Sequence, residues 1–84
     1  MKNITIYSTP SCHFCHMAKD FLQDHGVHFT DIDVSVDNVR RAEMVELTGQ
    51  LGVPVIRIDE EGKEPIVMVG FDPNLLAKSA GIAA

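Results

Sequence analysis

Residues 12–16 read Cys12-His13-Phe14-Cys15-His16, two thiols separated by two residues, each followed by a histidine. Three chemistries use such a string: covalent attachment of haem, partial coordination of a metal, and exchange of a dithiol with disulfides. Haem attachment needs export, room for a porphyrin and a second axial ligand, for which Met17, Met44 and Met68 are the formal candidates. Mononuclear zinc takes three or four ligands. Cys12, His13, Cys15 and His16 crowd one helical turn and cannot converge on a tetrahedral ion, so no metal site is expected. Dithiol exchange needs only one sulfur as an accessible thiolate and a second within reach. The chain has two cysteines in all, and a structural disulfide closing so short a loop removes little chain entropy. The pair is read as chemical rather than structural.

Such chemistry depends on the elements that hold the sulfurs. Ile4 and Ile6, with Thr5 and Tyr7, predict a strand over residues 3–7. Ser8-Thr9-Pro10-Ser11 is a turn, with Ser11 as the expected N-cap. Cys15, Ala18, Phe21 and Leu22 recur at helical spacing until Gly26, which predicts a helix over residues 12–25. Cys12 then falls in the first turn, where unpaired backbone N–H groups and the positive end of the helix dipole favour thiolate over thiol. Cysteines so placed have pKa values of ~3.5–7.5 against ~8.5 when free. At pH 7 a free thiol is only about 3% ionised, whereas one of pKa ~6 is about 90% ionised. Cys15, nearly one turn on and more buried, can close a small disulfide. Cys12 is therefore read as the group that attacks a substrate disulfide, and Cys15 as the group that resolves the mixed disulfide.

The neighbours carry two readings each. His16 lies one turn below Cys12 and either modulates the thiolate or is an exposed helix histidine. His13 lies between the sulfurs and can also favour the thiolate electrostatically. Phe14 is expected at the surface beside the site, as an apolar contact for a thiol substrate, with core packing the other reading. Lys19 is read as a solvated helix residue, and His25 and His28 as surface residues.

The remaining elements follow from pattern. Residues 27–34 are strand-like, with Thr30, Ile32 and Val34 on one face and Phe29 on the other, which suits a parallel strand covered on both sides. Asp37 caps a helix over residues 38–48 carrying Val39, Ala42, Met44, Val45 and Leu47, which Gly49 ends. Strands are expected over 55–58 and 66–69, joined by a charged hairpin loop over 59–64. Asp72-Pro73 opens a last helix over 73–80, stopped by Gly81. The order is β-α-β-α-β-β-α, one domain over residues 1–84, with 82–84 expected to fray.

The 84 residues, 45% of them hydrophobic, suffice for one core. A net charge of −5 argues against nucleic acid or an anionic membrane as partner. No stretch reads as a signal peptide or a membrane span, so the cytoplasm is the expected compartment.

Together, the dithiol after the first strand, Val53-Pro54 before the third and Gly70-Phe71-Asp72 before the last helix resemble the glutaredoxins. More narrowly, they resemble the short glutaredoxin-like redoxins of bacteria and archaea. The resemblance covers nearly the whole chain, from Ile4 to about Gly81. It implies a thioredoxin fold, a four-stranded mixed sheet of order 2-1-3-4 with three helices. It implies a thiol–disulfide oxidoreductase and a cis Val53-Pro54 bond facing the cysteines. A cis proline would expose the Val53 backbone to an extended substrate segment. The family also implies substrate or glutathione contacts at Phe14, Val53, Pro54, Gly70, Phe71 and Asp72. Asp72 matches the acidic residue that meets the γ-glutamyl amine.

Two departures matter. His13-Phe14 stands where Pro-Tyr is common between the cysteines. Ser8, Thr9 and Pro10 offer no basic residue for a glutathione carboxylate. Redoxins that serve ribonucleotide reductase typically carry Trp-Ser-Gly-Phe-Arg-Pro where this chain has Val69-Gly70-Phe71-Asp72-Pro73. The chain therefore sits between the two groups, and the electron donor stays open. The resemblance implies a monomer without a tightly bound cofactor and with glutathione as co-substrate. It also implies protein disulfides or glutathione mixed disulfides as substrates, with glutathione or thioredoxin reductase as electron donor. The alternative function it leaves open is an iron–sulfur module bridged between two protomers by Cys12 and external thiols.

Overall fold

Alternation along the first strand divides the molecule into two cores. The computed structural model describes residues 2–82. Strands β1 (Lys2–Ser8), β2 (Thr30–Asp33), β3 (Val55–Glu60) and β4 (Ile66–Val69) join helices α1 (His13–Asp24), α2 (Asn38–Thr48) and α3 (Pro73–Ala80) in the order β1-α1-β2-α2-β3-β4-α3. The sheet order is β2-β1-β3-β4, as expected. β1 and β2 are parallel, and the other two pairings are antiparallel.

On one face Ile4 and Ile6 of β1 meet Ile56 and Ile58 of β3, Met68 of β4, Ala18 and Leu22 of α1 and Leu76 of α3. On the other face Tyr7, Ile32, Val34 and Val55 gather around Met44 of α2. The period-two alternation of strand side chains produces this split, and helices on both faces complete a three-layer domain.

Register fixes which ends meet. Ser8 pairs with Asp33, Tyr7 with Val55, and Val55 with Val69. The chain leaving β1, the chain entering β3 and the chain leaving β4 therefore share one end of the sheet. Cys12, Pro54 and Gly70 lie on those three segments.

Several boundaries differ from the sequence expectation. The α1 cap is Cys12 rather than Ser11. β2 keeps only Thr30–Asp33, because Val27 and Phe29 pack against the α1/α3 core without entering the ladder. β3 extends two residues into the expected loop, where Lys63 N–H donates to Glu60 O at 3.0 Å. Ile82, expected to fray, packs against the α1/α3 core and donates its N–H to Ala77 O at 2.8 Å. Ala83 and Ala84, the rest of that tail, lie outside the described residues.

α2 begins and ends where expected. Arg40 N–H donates to Asp37 Oδ1 at 3.0 Å, and Gly49 closes the helix at φ 72°, a left-handed conformation that suits glycine. Asp37→Ala is expected to cost about 1 kcal/mol. In a domain of this size that lowers the thermal midpoint by roughly 4–8 °C, read by circular dichroism. A midpoint unchanged within error would mean that the cap carries no stability.

Candidate active site

The turn after β1 delivers Cys12 to the start of α1. Cys12 N–H donates to Thr9 O at 3.2 Å, which closes the turn. Cys12 has extended backbone and caps α1 itself, its Sγ accepting the Cys15 N–H at 3.1 Å. The N-cap position, normally held by a side-chain oxygen, is here held by sulfur. No acidic residue occupies the first turn to oppose a negative sulfur, and the helix dipole favours one.

Cys12 and Cys15 are joined as a disulfide, with Cα atoms 5.2 Å apart. Their burial is unequal. Cys15 is 0% exposed on the buried face of α1 with Ala18 and Leu22, whereas Cys12 is half-buried. Only the first sulfur is open to an incoming group.

The other predicted residues fall at the same end of the molecule. Phe14 is 57% exposed, so the surface reading holds over the core reading. His13 meets it edge-on, ring centroids 5.6 Å apart. His16 is exposed, and its Nε2 lies 2.7 Å from Pro10 O. A carbonyl only accepts, so Nε2 carries the hydrogen, and the ring staples the helix to the turn.

Val53-Pro54 is a cis bond. Pro54 is buried, and its carbonyl accepts the Gly70 N–H at 2.8 Å, which ties the β4–α3 loop to the cis-proline loop. Among the described residues, no loop hydrogen bond engages the Val53 backbone. Gly70 has φ 88°, a left-handed turn that a side chain would strain. Phe71 packs edge-on against Phe21 of α1, centroids 5.8 Å apart. Asp72 caps α3, its Oδ1 accepting from Asn74 N–H at 3.1 Å and Leu75 N–H at 3.2 Å. Its Oδ2 has no partner among the described residues.

Sequence reasoning missed a polar cluster at the end of β1, the strand that leads into the Cys12 turn. Ser8 is 2% exposed, the one buried polar or charged residue among those described. Its hydroxyl donates to Asp31 Oδ1 at 2.6 Å, and Lys19 Nζ donates to Asp31 Oδ2 at 3.0 Å. Lys19 is therefore not a solvated helix residue, since its side chain is 17% exposed against 42% for Asp31. Burial raises the Asp31 pKa, but hydrogen bonds from Ser8 and Lys19 outweigh it, helped by the charges of Lys19 and His16. The carboxyl is held below its ordinary value. A usable signal was present: Ser8 continues the core-facing register of Ile4 and Ile6, where a polar side chain must find a partner.

Comparison with known proteins decides the family. The family model for glutaredoxin matches residues 4–62. The chain belongs to the glutaredoxin family. A glutaredoxin-like 8.6 kDa protein of the rubredoxin operon of Clostridium pasteurianum is 42% identical over 69 residues, 82% of this chain and 85% of that one. Among solved structures, a variant of the thioredoxin-like protein BC3987 aligns over 99% of this chain and 100% of its own, with TM-score 0.83 and 29% identity. The glutaredoxin-like NrdH-redoxin from Escherichia coli aligns over 90% and 92%, with TM-score 0.73 and 28% identity. The fold is thioredoxin-like, as the resemblance implied. With its paired Cys12 and Cys15, this glutaredoxin is a thiol–disulfide oxidoreductase.

No helix among the described residues is long and apolar enough to cross a membrane. No group of three or more His, Cys, Asp or Glu among those residues is placed to hold a metal ion.

Proposed function

We propose that Cys12 is the attacking sulfur and Cys15 the resolving one, acting on protein disulfides and glutathione mixed disulfides. The observation that carries this is the unequal burial of the pair. Cys12 sits half-buried at a helix N-terminus, where dipole and N–H groups favour thiolate, and Cys15 sits fully buried behind it. In the reduced protein the Cys12 thiolate displaces one sulfur of the substrate disulfide as thiolate and keeps the other as a mixed disulfide. Cys15 then gives up its proton and attacks Cys12. This closes the Cys12–Cys15 bond and releases the second substrate sulfur as thiolate. Two electrons pass from the protein to the substrate.

In the same reading the free backbone of Val53, beside Pro54, pairs with an extended substrate segment. Phe14 offers an apolar contact. The Gly70-Phe71-Asp72 loop receives the glutathione moiety, with Asp72 Oδ2 meeting its ammonium and the α3 N-terminus its carboxylate. The protein acts as a monomer in the cytoplasm, with glutathione as co-substrate and no tightly bound cofactor. Thioredoxin reductase is the second candidate donor. The specific observation that favours it is that none of Ser8, Thr9 and Pro10 is a cation for a glutathione carboxylate, and that Ser8 is buried and committed to Asp31.

Cys15→Ser tests the assignment. Incubated with a glutathionylated peptide, the variant should accumulate one adduct, mapped to Cys12 by mass spectrometry. No adduct on Cys15→Ser, or an equally rapid adduct on Cys15 in Cys12→Ser, would refute the order of attack. NADPH oxidation through glutathione plus its reductase, against thioredoxin reductase alone, identifies the donor.

A further inference from the structure

The resolving step poses a problem that the attacking step does not. Cys15 is 0% exposed. Burial disfavours the charged form of a thiol, and the helix N-terminus that serves Cys12 is one turn away. Cys15 must nevertheless lose a proton before it can attack.

Two rows of side chains face each other between α1 and the sheet. Leu22, Ala18 and Cys15 form the buried row of α1. Ile4, Ile6 and Ser8 form the matching row of β1, all buried. The first two members of each row pack in one core cluster, which leaves Cys15 and Ser8 as the members nearest the active-site end. The Ser8 hydroxyl hydrogen is already committed to Asp31 Oδ1 at 2.6 Å. Its oxygen is left as an acceptor only.

We infer that Ser8 and Asp31 form the proton exit for Cys15. The Cys15 thiol donates to Ser8 Oγ, Ser8 passes its own hydrogen to Asp31 Oδ1, and the partly exposed carboxyl releases the proton to water. This deepens the proposed function and rests on its assignment of Cys15 as resolver. Cys15–SH and the Cys12–substrate disulfide become the Cys12–Cys15 disulfide, a substrate thiolate and one proton, which leaves through Ser8 and Asp31. Ser8 meets the reacting sulfur. Asp31 acts through Ser8 and is a positioning residue.

The surrounding charges suit a relay rather than a storage site. From α1, Lys19 holds Asp31 Oδ2 at 3.0 Å, and the His16 charge also acts on Asp31. On β2 itself, Asp33 lies two residues on and accepts from Ser35. Asp31 is held below the ordinary carboxylate range. It stays ionised at neutral pH, ready to accept from Ser8 and quick to lose a proton to water.

Ellman's disulfide separates the two steps, since Cys12 attack releases one thionitrobenzoate and Cys15 resolution the second. In stopped flow at pH 7, Asp31→Asn and Ser8→Ala should keep the first phase. The second phase should slow about tenfold or more, part of the ~10²-fold that a positioned base contributes. The deficit should shrink as the pH rises and Cys15 ionises directly, whereas Ser8→Thr, which keeps the hydroxyl, should restore the rate. If Ser8→Ala does not fold, Asp31→Asn carries the test, because its side chain is partly exposed. A second phase at the native rate in Asp31→Asn would overturn the relay, as would equal slowing of both phases. A Cys15→Ser protein that still released both groups would instead overturn the assignment of Cys15, a distinct failure.

Discussion

Cys12→Ser abolishes turnover: with either electron donor, the variant reduces disulfides no faster than the uncatalysed background. Serine preserves the size and place of the side chain, so helix α1 and its capping bond to the Cys15 N–H survive, as hydroxyl oxygen is a favoured N-cap acceptor. The nucleophile does not survive. A hydroxyl at a helix N-terminus is not ionised near neutral pH, and only a thiolate exchanges with a disulfide. Cys15 cannot substitute, because it is fully enclosed between α1 and the sheet.

The measurement is NADPH oxidation coupled to disulfide reduction, with far-ultraviolet circular dichroism confirming an unchanged fold. A variant retaining even a tenth of native turnover would show that another sulfur attacks, and Cys15 is the remaining one in the chain. A companion measurement addresses the cause of the reactivity. In reduced protein the rate of Cys12 alkylation by iodoacetamide should reach half its maximum below about pH 8.5, the free-thiol value. A midpoint at or above that value would deny the helix N-terminus any effect on the sulfur.

The attacking cysteine was legible because its chemistry is local. Two thiols at helical spacing, a turn before them and a strand before the turn are all read within a few residues. Val53-Pro54 and Gly70-Phe71-Asp72 became meaningful through resemblance, since no local pattern says that three separated segments share one end of a sheet. The register of β1 with β3, and of β3 with β4, says so. The Ser8–Asp31–Lys19 cluster escaped the sequence for a related reason. Ser8 reads as part of a Ser-Thr-Pro-Ser turn, yet it is the last residue of β1. Its partner lies 23 positions away, across a parallel pairing that only the folded chain creates.

Lys19 misled because helical spacing assigns a face but not a length. A lysine on the flank of a buried row can reach inward with its ammonium as easily as outward. Val39 misled in the opposite sense. It belongs to the apolar residues of α2, yet it is 78% exposed, and Met44 is the one fully buried residue of that helix. Hydrophobic type permits burial without requiring it.

Leu22→Ala should have the largest effect on stability. Leu22 is 0% exposed, in the core cluster with Ala18, Ile4, Ile6, Ile56, Ile58, Met68 and Leu76. Truncating a leucine in such a site loses the transfer energy of the removed atoms and leaves a cavity that the rigid sheet closes only in part, at a cost of about 2–5 kcal/mol. Total stability is about 5–15 kcal/mol for ordinary domains, and a chain of this size sits toward the lower end. At roughly 4–8 °C per kcal/mol, the midpoint should fall by about 10–30 °C. Thermal denaturation followed by circular dichroism reads the shift, and a fall of less than about 4 °C, the equivalent of roughly 1 kcal/mol, would contradict the placement of Leu22 at the centre of the core. The chemistry should stay separate from the stability. Leu22 stands two turns along α1 from Cys15, and the capping bond at Cys12 is made within the first turn. Well below its midpoint, the variant should therefore attack Ellman's disulfide at the native rate. A slower first phase there would mean that the core sets the geometry of Cys12 through α1, and that the first turn does not hold the attacking sulfur in place by itself.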